Sequence, residues 1–222
     1  MSDSSKVLKL PKPYLSYSAI DCWLKSPKTF RKRYYEKAPF FSTPELRFGK
    51  FIADELETNG SAYPDVPQLS KPEQQIQIEI EGIPLFGYID SFDPETKGFY
   101  EYKTGRVPWT QKRVDSHLQL DIYSLAIEEI FGSVQDECKL VWMETKKMDE
   151  QLSGLVTHED SHTIELTGKV VEFDRVIDDA KRQETRELIV RVAQEISDDF
   201  AEWSSDRAEA QAEKETPKSG LF

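Results

Sequence analysis

Apolar positions along the chain change period several times, and each change marks an element. Over 83–90, Ile83, Leu85, Gly87 and Ile89 alternate with Pro84, Phe86, Tyr88 and Asp90, the period-two pattern of a strand with one buried face. Residues 99–103 form a second, aromatic-rich strand, and Asp93-Pro94-Glu95-Thr96-Lys97-Gly98 between them has Pro and Gly placed as a turn requires. We read 82–105 as a hairpin around which the rest of the chain is organised. A clean alternation over 75–80 adds a strand before it, joined through Glu81-Gly82.

Elsewhere the period lengthens to that of a helix. Ser16 or Ser18 caps a helix carrying Ile20, Trp23 and Leu24, and Pro27 restarts it towards Phe30, Tyr34 and Tyr35. Residues 48–56 read as a further helix, and 59–72, rich in Pro, Ser and Gly, as a loop. In 110–131, Val114, Leu118, Ile122, Ala126 and Ile130 recur every four residues until Gly132 stops them. Residues 138–144 are a strand, 152–156 and 163–166 short strands, and 171–203 a long interrupted helix through Ile177, Leu188, Val192, Ile196 and Phe200.

At 222 residues, 38% hydrophobic and 32% charged, the composition is that of an ordinary soluble domain with one core. We read 14–203 as that domain. Residues 1–13, with Pro11 and Pro13, are an extended or disordered lead-in, and 204–222 a disordered acidic tail too poor in apolar side chains to order itself. Its terminal Leu221-Phe222 would suit docking on a replication or recombination protein such as a sliding clamp, although two residues are also a chance ending. No apolar run approaches the roughly 20 residues that cross a bilayer, and the first residues form no hydrophobic signal, so a cytoplasmic location without membrane contact is expected. Cys22 and Cys138 imply no disulfide framework.

The net charge of −12 argues against nucleic acid as a partner, until its distribution is considered. Residues 135–222 carry net −10 and residues 1–134 only −2. Within the first part, Lys28, Arg31, Lys32 and Arg33 crowd a segment interleaved with aromatics, and Arg106 follows the hairpin. Such patches track a nucleic-acid backbone while aromatics stack on bases; the same aromatics also suit a core.

The hairpin carries the candidate chemistry. Side chains alternate along a strand, so Glu101 and Lys103 share a face, and closing the hairpin brings Asp90 near Glu101. Two carboxylates and an ammonium suit Mg2+ and phosphodiester hydrolysis, with Lys103 orienting a water or steadying developing charge. A Glu-x-Lys pair is equally the make-up of a solvated strand face, and the hairpin by itself leaves both readings open.

Five blocks occur in order: Tyr14 to Tyr34, Phe48-Gly-Lys-Phe-Ile-Ala-Asp-Glu-Leu-Glu57, Gly87-Tyr-Ile-Asp90, Glu101-Tyr-Lys-Thr-Gly105 and Gln119-Leu-Asp-Ile-Tyr123. Their order and spacing resemble the PD-(D/E)XK nuclease superfamily, in the branch of the RecB nuclease domain and the CRISPR-associated RecB-like exonucleases, over roughly residues 14–145. The resemblance implies an α/β fold with a restriction-endonuclease-like core, a central mixed sheet flanked by helices, to which our reading adds a long C-terminal helix. It implies Mg2+- or Mn2+-dependent cleavage of DNA, with Asp90 and Glu101 as metal ligands, Lys103 as catalytic lysine and Gln119 and Tyr123 as an accessory pair. We add the Tyr102 backbone carbonyl as a third metal-binding oxygen. Two positions depart from the family. Its metal-binding His is Ala53 here, leaving Asp54 or Glu57 on the same helix to substitute, and the cysteine of the iron-sulfur members is Ser26, so no iron-sulfur cluster is expected.

These readings converge on a metal-dependent deoxyribonuclease, an exonuclease or end-processing enzyme of DNA repair, recombination or replication. The alternative is a catalytically impaired nucleic-acid-binding or partner-docking module of the same fold, and a third reading is action on RNA. His117, His158 and His162 show no ligand spacing with the acidic set and are expected at the surface or core edge.

Overall fold

Two consecutive residues with positive φ make the tightest antiparallel turn, and Glu81 (φ 49°) and Gly82 (φ 80°) supply it between β1 (Gln74–Ile80) and β2 (Ile83–Ile89). The computed structural model describes residues 8–148 and 163–215. The strand expected over 83–90 does not run on into the second hairpin. It bends at Asp90, and only β3 (Ser91–Phe92) pairs antiparallel with β4 (Phe99–Gly105). The partner changes at the bend, from β1 to β4, because the Asp90 side chain takes a β4 amide that a continuing ladder would have used. The connecting turn is held by Asp93, whose Oδ1 accepts from the Glu95 amide at 2.8 Å.

Among the described residues the strands form a two-stranded β1-β2 sheet and a four-stranded sheet in the order β3-β4-β5-β6. β5 (Glu137–Lys147) lies parallel to β4, and β6 (Ile164–Val176) antiparallel to β5, so the sheet is mixed. β6 corrects the sequence reading, which ended a strand at 166 and began a helix at 171. Val170, Val171, Phe173 and Val176 are β-branched or aromatic, and a long partner strand outweighs a loose helical spacing. The strand expected over 152–156 lies outside the described residues.

The helix expected over 110–131 is two, α4 (Gln111–Asp115) and α5 (Leu118–Phe131), in the numbering where α3 spans Pro44–Asn59. Ser116 Oγ bonds back to the Lys112 and Arg113 carbonyls, and His117 is extended. Gly132 (φ 70°) ends α5. The final helix, α6 (Asp179–Glu215), begins where Asp178 Oδ1 accepts from the Lys181 amide. It continues beyond 203, through residues expected in a disordered tail, since Ala, Glu, Lys and Arg propagate a helix already nucleated. No helix among the described residues is long and apolar enough to cross a membrane.

The chain divides into two compact units. The first comprises Met1–Pro39, Glu79–Leu85 and Glu187–Phe222. It holds α1 (Tyr17–Lys25), capped by Ser16, then α2 (Pro27–Phe30) and a π-helical turn Arg31–Tyr35. It buries Ile20, Trp23, Ile80, Ile83 and Val192, and holds an aromatic chain with Phe30 4.4 Å from Tyr34 and Tyr35 4.8 Å from Phe200. The lead-in is tied down, with the Lys9 amide on Ser197 Oγ at 2.9 Å and the Leu15 amide on the Pro84 carbonyl at 2.8 Å.

The second unit, Phe40–Ile78 and Phe86–Arg186, contains the mixed sheet. Phe48, Ile52 and Leu56 repeat at four-residue intervals on α3 and bury against Val141, Met143 and Ile164. α5 is buried continuously from Gln119 to Ile127, so its polar positions Gln119, Asp121 and Ser124 have been drawn inside with it.

Candidate active site

The amide and carbonyl of one strand residue point to the same side, while side chains alternate between faces. The Tyr102 amide donates to Asp90 Oδ2 at 2.7 Å, so the Tyr102 carbonyl points towards Asp90 as well, away from β5. Its phenol donates to the Pro67 carbonyl at 2.9 Å and fixes this part of β4 from the other side. Glu101 and Lys103 occupy the opposite face, with Lys103 Nζ 2.5 Å from Glu101 Oε1 and 2.9 Å from Gln119 Oε1. One turn along α5, the Tyr123 hydroxyl accepts from Gln119 Nε2 at 2.9 Å, which orients the amide oxygen towards the lysine. Asp90, Glu101, Lys103, Gln119 and Tyr123 thus form one connected cluster.

Its charge does not balance. Glu101 is 2% exposed, and its Oε2 meets no hydrogen-bond donor among the described residues. Burial, and then the neighbouring Asp90, push the Glu101 carboxyl up to about 8, while burial raises Asp90 against the pull of Lys103. Ionised carboxylates only accept, so neither can satisfy the other. A proton or a cation is needed between them. The orphaned Oε2, the Asp90 carboxylate and the outward Tyr102 carbonyl are hard oxygen donors and fit Mg2+ or Mn2+.

A cavity of about 350 Å3 opens here, lined by Asp90, Glu101 and Lys103 together with Leu46, Gly49 and Ala53 of α3. Gly49 permits the helix to approach, since a Cβ there would stand 3.2 Å from Thr104 Oγ1. Ala53, at the position of the family histidine, faces the cavity without a donor. Neither proposed substitute joins it. Asp54 points aside to Lys50 at 3.1 Å, and Glu57 lies further along α3, beyond the lining residues. Among the described residues no group of three or more His, Cys, Asp or Glu gathers as a metal site.

Sequence reasoning passed over Glu73. Lys71 and Phe92 exchange backbone hydrogen bonds of 2.9 and 2.8 Å, and extending that antiparallel register sets Glu73 opposite Asp90. Partial burial, and then Glu57, Asp90 and Asp54, raise its carboxyl. The signal was available, because counting outwards from the Glu81-Gly82 turn pairs 73 with 90.

Of the basic residues, Lys28, Lys32 and Arg33 are exposed in the first unit, and Arg33 lies 5.4 Å from the Tyr34 ring. Arg31 is committed to Asp199, with Nε 2.9 Å from Oδ2, and is not available to a phosphate in this arrangement. Arg106 is exposed just after β4. His117 is half-buried, edge-on to Trp109 at 4.9 Å, and the other two histidines lie outside the described residues.

A family model described as PD-(D/E)XK nuclease superfamily matches residues 51–214. No curated protein sequence matches the chain. Among solved structures, the chain is similar to a provisionally assigned exonuclease from Eubacterium rectale, at 11% identity, with 88% of each chain covered and a TM-score of 0.49. It is also similar to an alkaline exonuclease, LHK-Exo, from Laribacter hongkongensis, at 12% identity, covering 89% of this chain and 95% of that one, with a TM-score of 0.45. The same exonuclease in complex with dAMP gives 12%, 90%, 96% and 0.48.

Proposed function

The chain belongs to the PD-(D/E)XK nuclease superfamily, and from that premise we propose that it is a metal-dependent deoxyribonuclease, working as an exonuclease or end-processing enzyme in DNA repair, recombination or replication. The observation that carries this reading is the ammonium of Lys103, held between Glu101 and Gln119 beside two carboxylates that share its one positive charge. Asp90, Glu101 and the Tyr102 carbonyl would hold Mg2+ or Mn2+, which when bound would supply charge neutralisation at the phosphate and a more acidic attacking water. Lys103, kept in one orientation by Gln119, donates towards the attacking water or a non-bridging phosphate oxygen and steadies the charge that develops there. Tyr123 fixes the Gln119 amide and so acts as a positioning residue. Exposed Lys28, Lys32, Arg33 and Arg106 contribute phosphate contacts.

The second reading, a binding module of weakened chemistry, draws on Ala53, which puts a methyl group where the family has an imidazole. One experiment separates them. A short linear DNA labelled at each end in turn is incubated with Mg2+, with Mn2+ and with EDTA. Metal-dependent loss from one labelled end supports the exonuclease; binding without cleavage under every metal supports the module.

A further inference from the structure

Lys28, Arg31, Lys32 and Arg33 form the basic segment of the first unit, and Arg31 differs from its neighbours in being already engaged. It opens the π-helical turn Arg31–Tyr35, at whose end the Tyr35 ring packs 4.8 Å from Phe200 and 5.2 Å from Trp203 of α6. The Tyr35 hydroxyl donates to the Ile196 carbonyl at 3.3 Å, so the turn is fixed against α6 and Arg31 is brought to Asp199. The guanidinium forks onto that carboxylate, Nε on Oδ2 at 2.9 Å and Nη2 on Oδ1, the two-point geometry that a phosphate would otherwise take.

The two partners are unequally held. The Asp199 side chain is 12% exposed and packed in place, whereas that of Arg31 is 47% exposed and free to swing outwards. Spacings of three and four residues put Glu202 and Asp206 on the same face of α6, and with Trp203 they line a cavity of about 120 Å3 around the pair. One guanidinium thus faces three carboxylates, which attract it and repel a phosphate approaching it. Departure of Arg31 leaves Asp199 half-enclosed without its cation, which favours the closed arrangement. A partly exposed ion pair is nevertheless weak, so a phosphate arriving on Lys28 and Lys32 competes with it.

Resting on the nuclease reading, we propose that Asp199, backed by Glu202 and Asp206, is an autoinhibitory latch that withholds Arg31 from the DNA backbone, so that the basic segment binds with one phosphate contact fewer than its sequence offers.

Fluorescence anisotropy on a short labelled duplex tests this without cleavage, with Ca2+ in place of Mg2+ and sodium chloride varied. Asp199→Asn keeps the shape of the side chain and removes its charge. It should bind about fivefold tighter at moderate salt and steepen the fall of log K with log salt by about one. Arg31→Lys, whose ammonium cannot make the fork, should also bind tighter than the unaltered protein, and it carries the test if Asp199→Asn does not fold. Arg31→Gln should keep the salt slope of the unaltered protein, and Arg31→Gln/Asp199→Asn should lose the gain. Thermal melting verifies the fold of each variant. Unchanged affinity in Asp199→Asn overturns the latch. So does a gain that survives in the double variant, which would be the loss of a negative charge alone, and so does a shallower slope in Arg31→Gln, which would mean that Arg31 already meets a phosphate. If Asp199→Asn binds and cuts DNA as the unaltered protein does, the latch fails and the nuclease stands. If no form of the protein binds DNA, the nuclease reading fails and the latch with it.

Discussion

Asp121 and Glu101 are both carboxylates closed to water, 3% and 2% exposed, in the same unit of the molecule. Asp121 meets Arg175 at 3.0 Å and Lys181 at 4.0 Å, two cations for one carboxylate. Arg175 keeps its Nε without an acceptor, but the charge of Asp121 is met within the chain. Around Glu101 the ratio is reversed, with Asp90 and Glu101 sharing the single ammonium of Lys103. Burying a charge without compensation costs several kcal/mol, so the first cluster is a strut and the second favours taking up a proton or a further cation. The difference identifies the site more sharply than burial does, since both clusters are buried.

The largest effect expected is on turnover. Asp90→Ala and Lys103→Ala should each lower cleavage of end-labelled DNA by about a thousandfold or more with melting behaviour retained. They part on metal binding. The Asp variant loses a ligand, whereas the Lys variant, having shed a competing cation, binds Mn2+ at least as well. Equal Mn2+ affinities in the two would break the comparison.

Next in size, the two clusters should answer neutralisation in opposite senses. Arg175→Ala leaves Asp121 buried and short of a cation and should destabilise the fold by about 3 kcal/mol, with Mn2+ affinity unchanged. Glu101→Gln removes a repulsion and should raise the melting temperature of the metal-free protein while abolishing turnover. Thermal melts in EDTA read both, and a fall in melting temperature for Glu101→Gln would contradict the charge argument.

How much of this was legible in the sequence depends on the distance over which each feature is decided. The β4 strand, the Glu101–Lys103 face and the Gln119–Tyr123 spacing follow from periods of two and four, and each brings its residues together as read. The bend at Asp90 was not legible, because it depends on a side chain taking an amide twelve residues away. Nor was the loss of Arg31 to Asp199, a partner 168 positions distant. Val170 to Val176 carry a pattern that fits helix weakly, and pairing with β5 decided it. Asp54 and Glu57 were placed on the correct helix, but Asp54 turns to Lys50, and Glu57, one turn beyond Ala53, lies outside the cavity lining.

A smaller effect is expected from pH. The folded-state Glu101 carboxyl lies near 8 against an ordinary 4.5, and Asp90 is also raised, so the metal-free folded protein holds protons that the unfolded chain releases. Stability from this source is therefore complete at low pH and lost as pH rises through about 8. Denaturant unfolding in EDTA at pH 6 and pH 9 should show the decline, and Glu101→Gln should flatten it. The smallest change is Ala53→His, which adds an imidazole to the cavity wall and should raise Mn2+ affinity several-fold, more than Mg2+ affinity. Calorimetric titration of both metals reads the difference, and equal gains for the two would remove Ala53 from the account.

The cation affinity of this pair is most directly tested by titrating Mn2+ into the metal-free protein at pH 7, by calorimetry in two buffers of different ionisation enthalpy. A cation entering between Asp90 and Glu101 must displace the proton they retain, so the account predicts saturable binding with release of about one proton per metal. Both binding and release should disappear in Asp90→Asn. Saturable binding without proton release, or binding that survives Asp90→Asn unchanged, would contradict the claim that this pair awaits a cation.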